Sequence, residues 1–221
     1  NPAIGVGPGH VPAFVDATAD PRAAARRIVA SKAFDNSTLC TNESVLVVEE
    51  RVADRLRREM EQAGAMFLDE DAAGRLRHYM FPYGRLNVEV VGKSAAWIAD
   101  KAGVRAGPKT VVLVAPFEAV VPEEPLTHEK LSPVLGMIRV PDAAAGIAAA
   151  RAVVRIAGAG HSAAIHSSDP ATIMRYAVDV PVLRVSVNVG NSTGSAGLDT
   201  NLAPTMTVGT GFVGRSALGE N

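Results

Sequence analysis

Short, almost wholly apolar runs recur along the chain at residues 11–15, 44–48, 110–114, 134–140, 163–166 and 182–187, and 86–91 is also strand-like. Runs of this length, apolar at successive positions, read as strands covered on both faces. Longer segments with helical spacing separate them, at 21–33, 51–63, 69–80, 94–102, 141–156 and 170–177. Asp20 before Pro21 supplies an N-cap followed by a first-turn proline. Gly64 stops the second helix, and Phe81-Pro82-Tyr83-Gly84 ends the third. Strands alternating with helices predict an α/β fold of three layers, with a mostly parallel sheet between two layers of helices. From Gly190 the chain turns to Gly, Ser, Thr and Asn, with one β-like stretch at 205–208. The expected organisation is an α/β domain over 1–189, then a loop and a C-terminal β arm over 190–221.

Composition narrows the class. With 221 residues, 48% of them hydrophobic, the chain can bury a core that needs no disulfide or metal staple. A formal net charge of −1 leaves no electrostatic footprint for nucleic acid or an anionic membrane. No apolar stretch approaches the ~18 residues that span a bilayer. The first residues lack the basic and hydrophobic regions of a signal peptide. They begin without methionine and look like the inside of a fold, so a piece of a longer, cytoplasmic protein is expected.

Cys40 is the single cysteine. It cannot form an internal disulfide, which leaves packing, a metal or nucleophilic chemistry. Ser37, Thr38, Thr41 and Asn42 surround it with small polar groups, in a loop between a helix and a strand. That setting favours chemistry over packing. Zinc is not expected, because no second cysteine stands at ligand spacing and the five histidines are scattered. His161, after Gly158-Ala159-Gly160, reads first as a turn residue, with a general base as the second reading. The run Gly5-Val6-Gly7-Pro8-Gly9 lacks the spacing of a phosphate loop, although glycines there permit close backbone approach to a cofactor. The acidic segment 123–133, which contains His128 and Glu129, reads first as a solvated loop.

Five segments together resemble the catalytic domain of the aldehyde dehydrogenase superfamily, and most of all its CoA-acylating branch. They are GVGPGHVPAFVDATAD at 5–20, SKAFDNSTLCTNES at 31–44, HEKLSPVLGM at 128–137, GAGHSAAIHS at 158–167, and the tail from 201 to 221. The resemblance implies an enzyme that uses NAD or NADP, with coenzyme A as cosubstrate and a small aldehyde as substrate. It implies Cys40 as the nucleophile that becomes a thioester and His161 as a proton-transfer group. Glu129 is implied at the nicotinamide ribose, with Leu131 beside the nicotinamide and Gly7 close to the cofactor. Thr38, Leu39, Thr41 and Asn191 are implied around the aldehyde, and the arm in a homo-oligomer. The family's dinucleotide-binding domain would lie upstream of the first residue.

Val6 separates the branches. Hydrolytic members carry a glutamate that activates water about 34 residues before the nucleophile, and here Val6 takes that place. Valine accepts no proton, so the thioester is expected to await a thiol. One departure is His10, where acylating members generally carry asparagine. The alternatives are a dehydrogenase that releases the free acid, or an inactive stand-alone domain.

Overall fold

A computed structural model describes residues 9–156 and 159–204 of the chain. Gly7, Val6 and the 205–208 arm lie outside the described residues. The strands are β1 (Val11–Val15), β2 (Glu43–Glu49), β3 (Ala65–Phe67), β4 (Val112–Pro116), β5 (Val134–Val140), β6 (Ser162–His166) and β7 (Arg184–Val187). The helices are α1 (Pro21–Ala33), α2 (Glu50–Gln62), α3 (Glu70–Met80), α4 (Ala95–Lys101), α5 (Ala143–Ile156), α6 (Pro170–Asp179) and α7 (Asn191–Ser195). The strands form one sheet in the order β3-β4-β5-β2-β1-β6-β7. Every pairing is parallel.

Helices cover both faces of the sheet, which explains the unbroken apolar runs. Leu46 and Val48 of β2 pack with Ala24, Ile28 and Leu56 of α1 and α2. Val45 and Val47 face the other way, with Phe14, Leu76, Ile147 and Val153. Helix starts follow the sequence signals. Asp20 accepts hydrogen bonds from the N–H groups of Arg22 and Ala23, and Asp69 caps α3 through Ala72.

Residues 86–91 are not a strand. Val88–Val90 form a 3-10 turn capped by Asn87, whose side chain accepts from the Glu89 N–H, with Val88 79% exposed. The sheet's edge position belongs instead to the three-residue β3, paired with β4. β4 itself runs two residues later than its apolar run. The stretch after Gly190, expected as loop, opens with the short helix α7.

Candidate active site

Parallel strands place their preceding loops along one edge of the sheet, and the candidate residues lie in those loops. Glu129 and Leu131 precede β5, Cys40 precedes β2, Gly9 and His10 precede β1, and His161 precedes β6. These four strands are neighbours in the order β5-β2-β1-β6. Arg184 opens the next strand, β7. Topology therefore gathers residues from 9 to 184 at the amino edge of the sheet.

Gly9 is the hub of this group. A Cβ at that position would lie 2.4 Å from the Cys40 carbonyl oxygen, 3.2 Å from His161 Nε2 and 3.3 Å from Glu129 Oε1. Only glycine lets the three approach this closely. The Gly9 backbone also favours the charged form of the Glu129 carboxylate, against its burial.

The loop that carries Cys40 is held at both ends. Ser31 and Lys32, at the end of α1, face Glu43 and Asn42 at the start of β2. Ser31 donates to Glu43 Oε2 at 3.0 Å, and Lys32 Nζ donates to Asn42 Oδ1. Asn42 bonds back to the Leu39 carbonyl through its backbone N–H and its amide. Inside the loop Asp35, Asn36 and Ser37 adopt left-handed backbone angles, with φ of 49°, 48° and 62°. Such angles are unfavourable for residues with a side chain. The Ser37 hydroxyl, bonded to the Lys32 carbonyl, and the Thr38 hydroxyl, bonded to Asp35, hold them in place.

Burial and local charge set the protonation states. Burial pushes the Cys40 thiol above the usual cysteine range and the Glu129 carboxylate adds to this, while Cys40's own backbone and Arg184 pull the other way. Burial raises Glu129, and burial with the Arg184 charge lowers His161. Fully buried Lys32 is brought down to about 7 by desolvation, against the attraction of Glu43 and Glu129. His10 is held neutral, lowered to about 3 chiefly by burial, and stacks on His128 with ring centroids 5.3 Å apart. Lys130 is buried with all three donors used, on the carbonyls of Ser44, Leu126 and His128.

The other expected residues fall around this centre in different ways. Leu131 is half-buried with φ of 43°, and its carbonyl accepts from the Gly92 N–H at 2.9 Å. Thr38 is exposed and lies near Gly92, while Leu39 and Thr41 are half-buried. Asn191 has no exposed surface. Its N–H donates to Glu43 Oε1 at 2.6 Å, and its amide donates to the Thr41 carbonyl and to Ser162 Oγ. It is spent in bracing the Cys40 loop and does not face a ligand. Sequence reasoning passed over Lys32, Glu43 and Ser162, and took Asn42 only as a polar flank of Cys40. The one signal was two polar pairs, 31–32 and 42–43, bracketing the Cys40 loop.

No protein-family model matches the chain. Curated relatives match it throughout. The aldehyde-alcohol dehydrogenase 2 of Entamoeba histolytica is 35% identical over 100% of this chain and 26% of its own length. The acetylating succinate-semialdehyde dehydrogenase of Clostridium kluyveri is 31% identical over 100% of this chain and 49% of its own length. Along its whole length the chain is similar to aldehyde-alcohol dehydrogenases and to acylating aldehyde dehydrogenases. It spans about a quarter to a half of their length.

Solved structures of aldehyde dehydrogenases and of a glycolyl-CoA reductase share its fold. An acetylating aldehyde dehydrogenase from Geobacillus thermoglucosidasius matches with a TM-score of 0.90 at 35% identity, over 97% of this chain and 47% of that one. The propionaldehyde dehydrogenase of Rhodopseudomonas palustris, solved with bound propionyl-CoA, matches at 0.84 and 26% identity over 98% and 48%. An engineered glycolyl-CoA reductase with bound NADP+ matches at 0.84 and 27% identity over 98% and 49%.

Proposed function

We propose that this chain is the nucleophile-bearing part of an enzyme that oxidises a small aldehyde to an acyl-CoA, using NAD or NADP. In this reading residues 1–189 are the catalytic domain and 190–221 its pocket loop and arm. The observation that carries it is the approach of the Cys40 backbone carbonyl, His161 Nε2 and Glu129 Oε1 to Gly9, in a chain whose relatives are acylating aldehyde dehydrogenases.

Cys40 Sγ, once deprotonated, forms a bond to the aldehyde carbon as the carbonyl electron pair moves onto oxygen. A bound nicotinamide supplies the acceptor for the hydride that this carbon loses. The product on the protein is a thioester at Cys40. The thiolate of coenzyme A then attacks that carbonyl, and Cys40 leaves as thiolate. In this reading His161, whose Nε2 lies on the same side of Gly9 as the Cys40 carbonyl, exchanges a proton with the reacting oxygen or thiol.

The residues present fit the ribose end of a nicotinamide cofactor. The Glu129 carboxylate is buried, with the Gly9 backbone favouring its charged form. Lone pairs remain for two hydroxyl donors, and half-buried Leu131 offers an apolar neighbour. Val6 supplies no base for water, which favours transfer of the acyl group to a thiol.

A cytosolic homo-oligomer accords with the lone thiol and with β7, whose flanking Leu183 is 59% exposed. No helix among the described residues is long and apolar enough to cross a membrane. The test is product analysis of the natural protein carrying this chain, with an aldehyde panel, NAD or NADP, and with or without CoA. Acyl-CoA formation is expected. Free acid released equally fast without CoA would contradict the acylating reading.

A further inference from the structure

His161 Nδ1 lies 2.9 Å from Ser162 Oγ, a contact that either atom could donate. The tautomer decides what the other ring nitrogen, Nε2, offers the pocket. Ser162 and the residues behind it decide the tautomer.

Asn191 is the fixed point. Its amide nitrogen faces the Thr41 carbonyl at 2.8 Å, an acceptor that cannot donate, so this nitrogen is the –NH2. Its amide oxygen accepts from the Ser186 hydroxyl at 2.7 Å. The same –NH2 reaches Ser162 Oγ at 2.9 Å, so Ser162 accepts from Asn191. Among the described residues, the remaining partner for the buried Ser162 hydroxyl proton is His161 Nδ1. The opposite arrangement would give Ser162 two donors and leave its own proton without an acceptor, a costly state for a buried group.

We propose that Asn191 and Ser162 form a relay that holds neutral His161 as the Nε2–H tautomer, so that it meets the substrate as a hydrogen-bond donor rather than as a resting base. Asn191 and Ser162 are positioning residues, acting through His161. On the reading given above, the Nε2–H suits the oxygen that gains charge when Cys40 adds to the aldehyde. The relay is also tied to the nucleophile. Asn191 bonds the Thr41 carbonyl, next to Cys40, and its N–H bonds Glu43, which braces the loop through Ser31. Thiol loop and histidine thus share one support.

Nitrogen NMR of the histidine-labelled chain at neutral pH reads the tautomer directly, with His161→Gln to assign the signals. The expected result is a protonated Nε2 and a bare Nδ1. Asn191→Asp replaces the donor to Ser162 by an acceptor, which draws the serine proton away and is expected to move the ring proton to Nδ1. Ser162→Ala removes the link and is expected to give a mixture of tautomers. This variant decides the matter if the buried carboxylate of the first prevents folding. A protonated Nδ1 in the unaltered chain would overturn the proposal, as would an unchanged Nε2–H pattern in Ser162→Ala. The measurement needs no turnover. An Nε2–H tautomer in a protein that makes no acyl-CoA would remove the functional reading and leave the relay standing.

Discussion

At the carboxyl end of the sheet, Asp16 accepts the Thr18 N–H and hydroxyl on one oxygen and the Ser167 hydroxyl on the other. Asn188 closes a ring of bonds to the Ser167 backbone, and Glu49 accepts from the Ala17 N–H. These side chains are occupied in turning their own loops. At the amino end, Lys32, Asn42, Glu43 and Asn191 are occupied in the same way, but they support a second set. The Cys40 carbonyl, His161 Nε2 and Glu129 Oε1 lie together around Gly9. Open parallel sheets more often bind ligands at their carboxyl ends. Here the chemistry-bearing residues sit at the opposite edge. A polar cluster becomes a candidate site when a supporting layer leaves a facing layer unspent.

The comparison breaks most sharply at the thiol. Cys40→Ala in the natural protein is expected to cut acyl-CoA formation by at least about a thousandfold. Stability should change by no more than about 0.5 kcal/mol, measured by denaturant titration. Gly9→Ala comes next. Its Cβ would sit 2.4 Å from a backbone oxygen, so Cys40 or Gly9 must shift. A displacement of about 1 Å costs on the order of a hundredfold in rate.

Glu43→Gln and Asp16→Asn compare the two edges as supports. Each removes an acceptor from a buried bonded group, and each is expected to cost about 1.5–3 kcal/mol in urea unfolding. Only the Glu43 change should alter alkylation of Cys40. Equal effects on the thiol would mean that the two edges are not independent.

The smallest effect concerns Glu129. Its charge helps to raise the Cys40 thiol, so thiolate, and with it the rate of iodoacetamide alkylation, should increase as pH rises into the alkaline range. Glu129→Gln removes a charge that opposes ionisation. It should move that curve to lower pH and speed alkylation at neutral pH by up to about tenfold, since one unit of pKa is a factor of ten in thiolate.

The sheet core was legible because Val45 to Val48 are apolar on both faces, a pattern that needs no knowledge of partners. β3 was not, since three residues carry no periodicity. Residues 86–91 misled because their apolar content resembles a strand, whereas Asn87 caps a turn and Gly92 takes φ of 69°. In the site, Cys40 was marked by its own polar flanks, and the family resemblance added Glu129 and His161. The supporting layer was silent for a physical reason. Glu43 meets Asn191 across 148 positions and Asn191 meets Ser162 across 29. A buried glutamate opening a strand looks, in sequence, like any exposed one.

The most direct test is mass spectrometry of the Cys40 peptide from the natural protein, quenched after reaction with aldehyde and NAD or NADP in the absence of CoA. An acyl group on Cys40 that persists, and that disappears into acyl-CoA when CoA is added, is the predicted result. An unmodified Cys40 during turnover, or an acyl group lost to water as fast as to CoA, would contradict it.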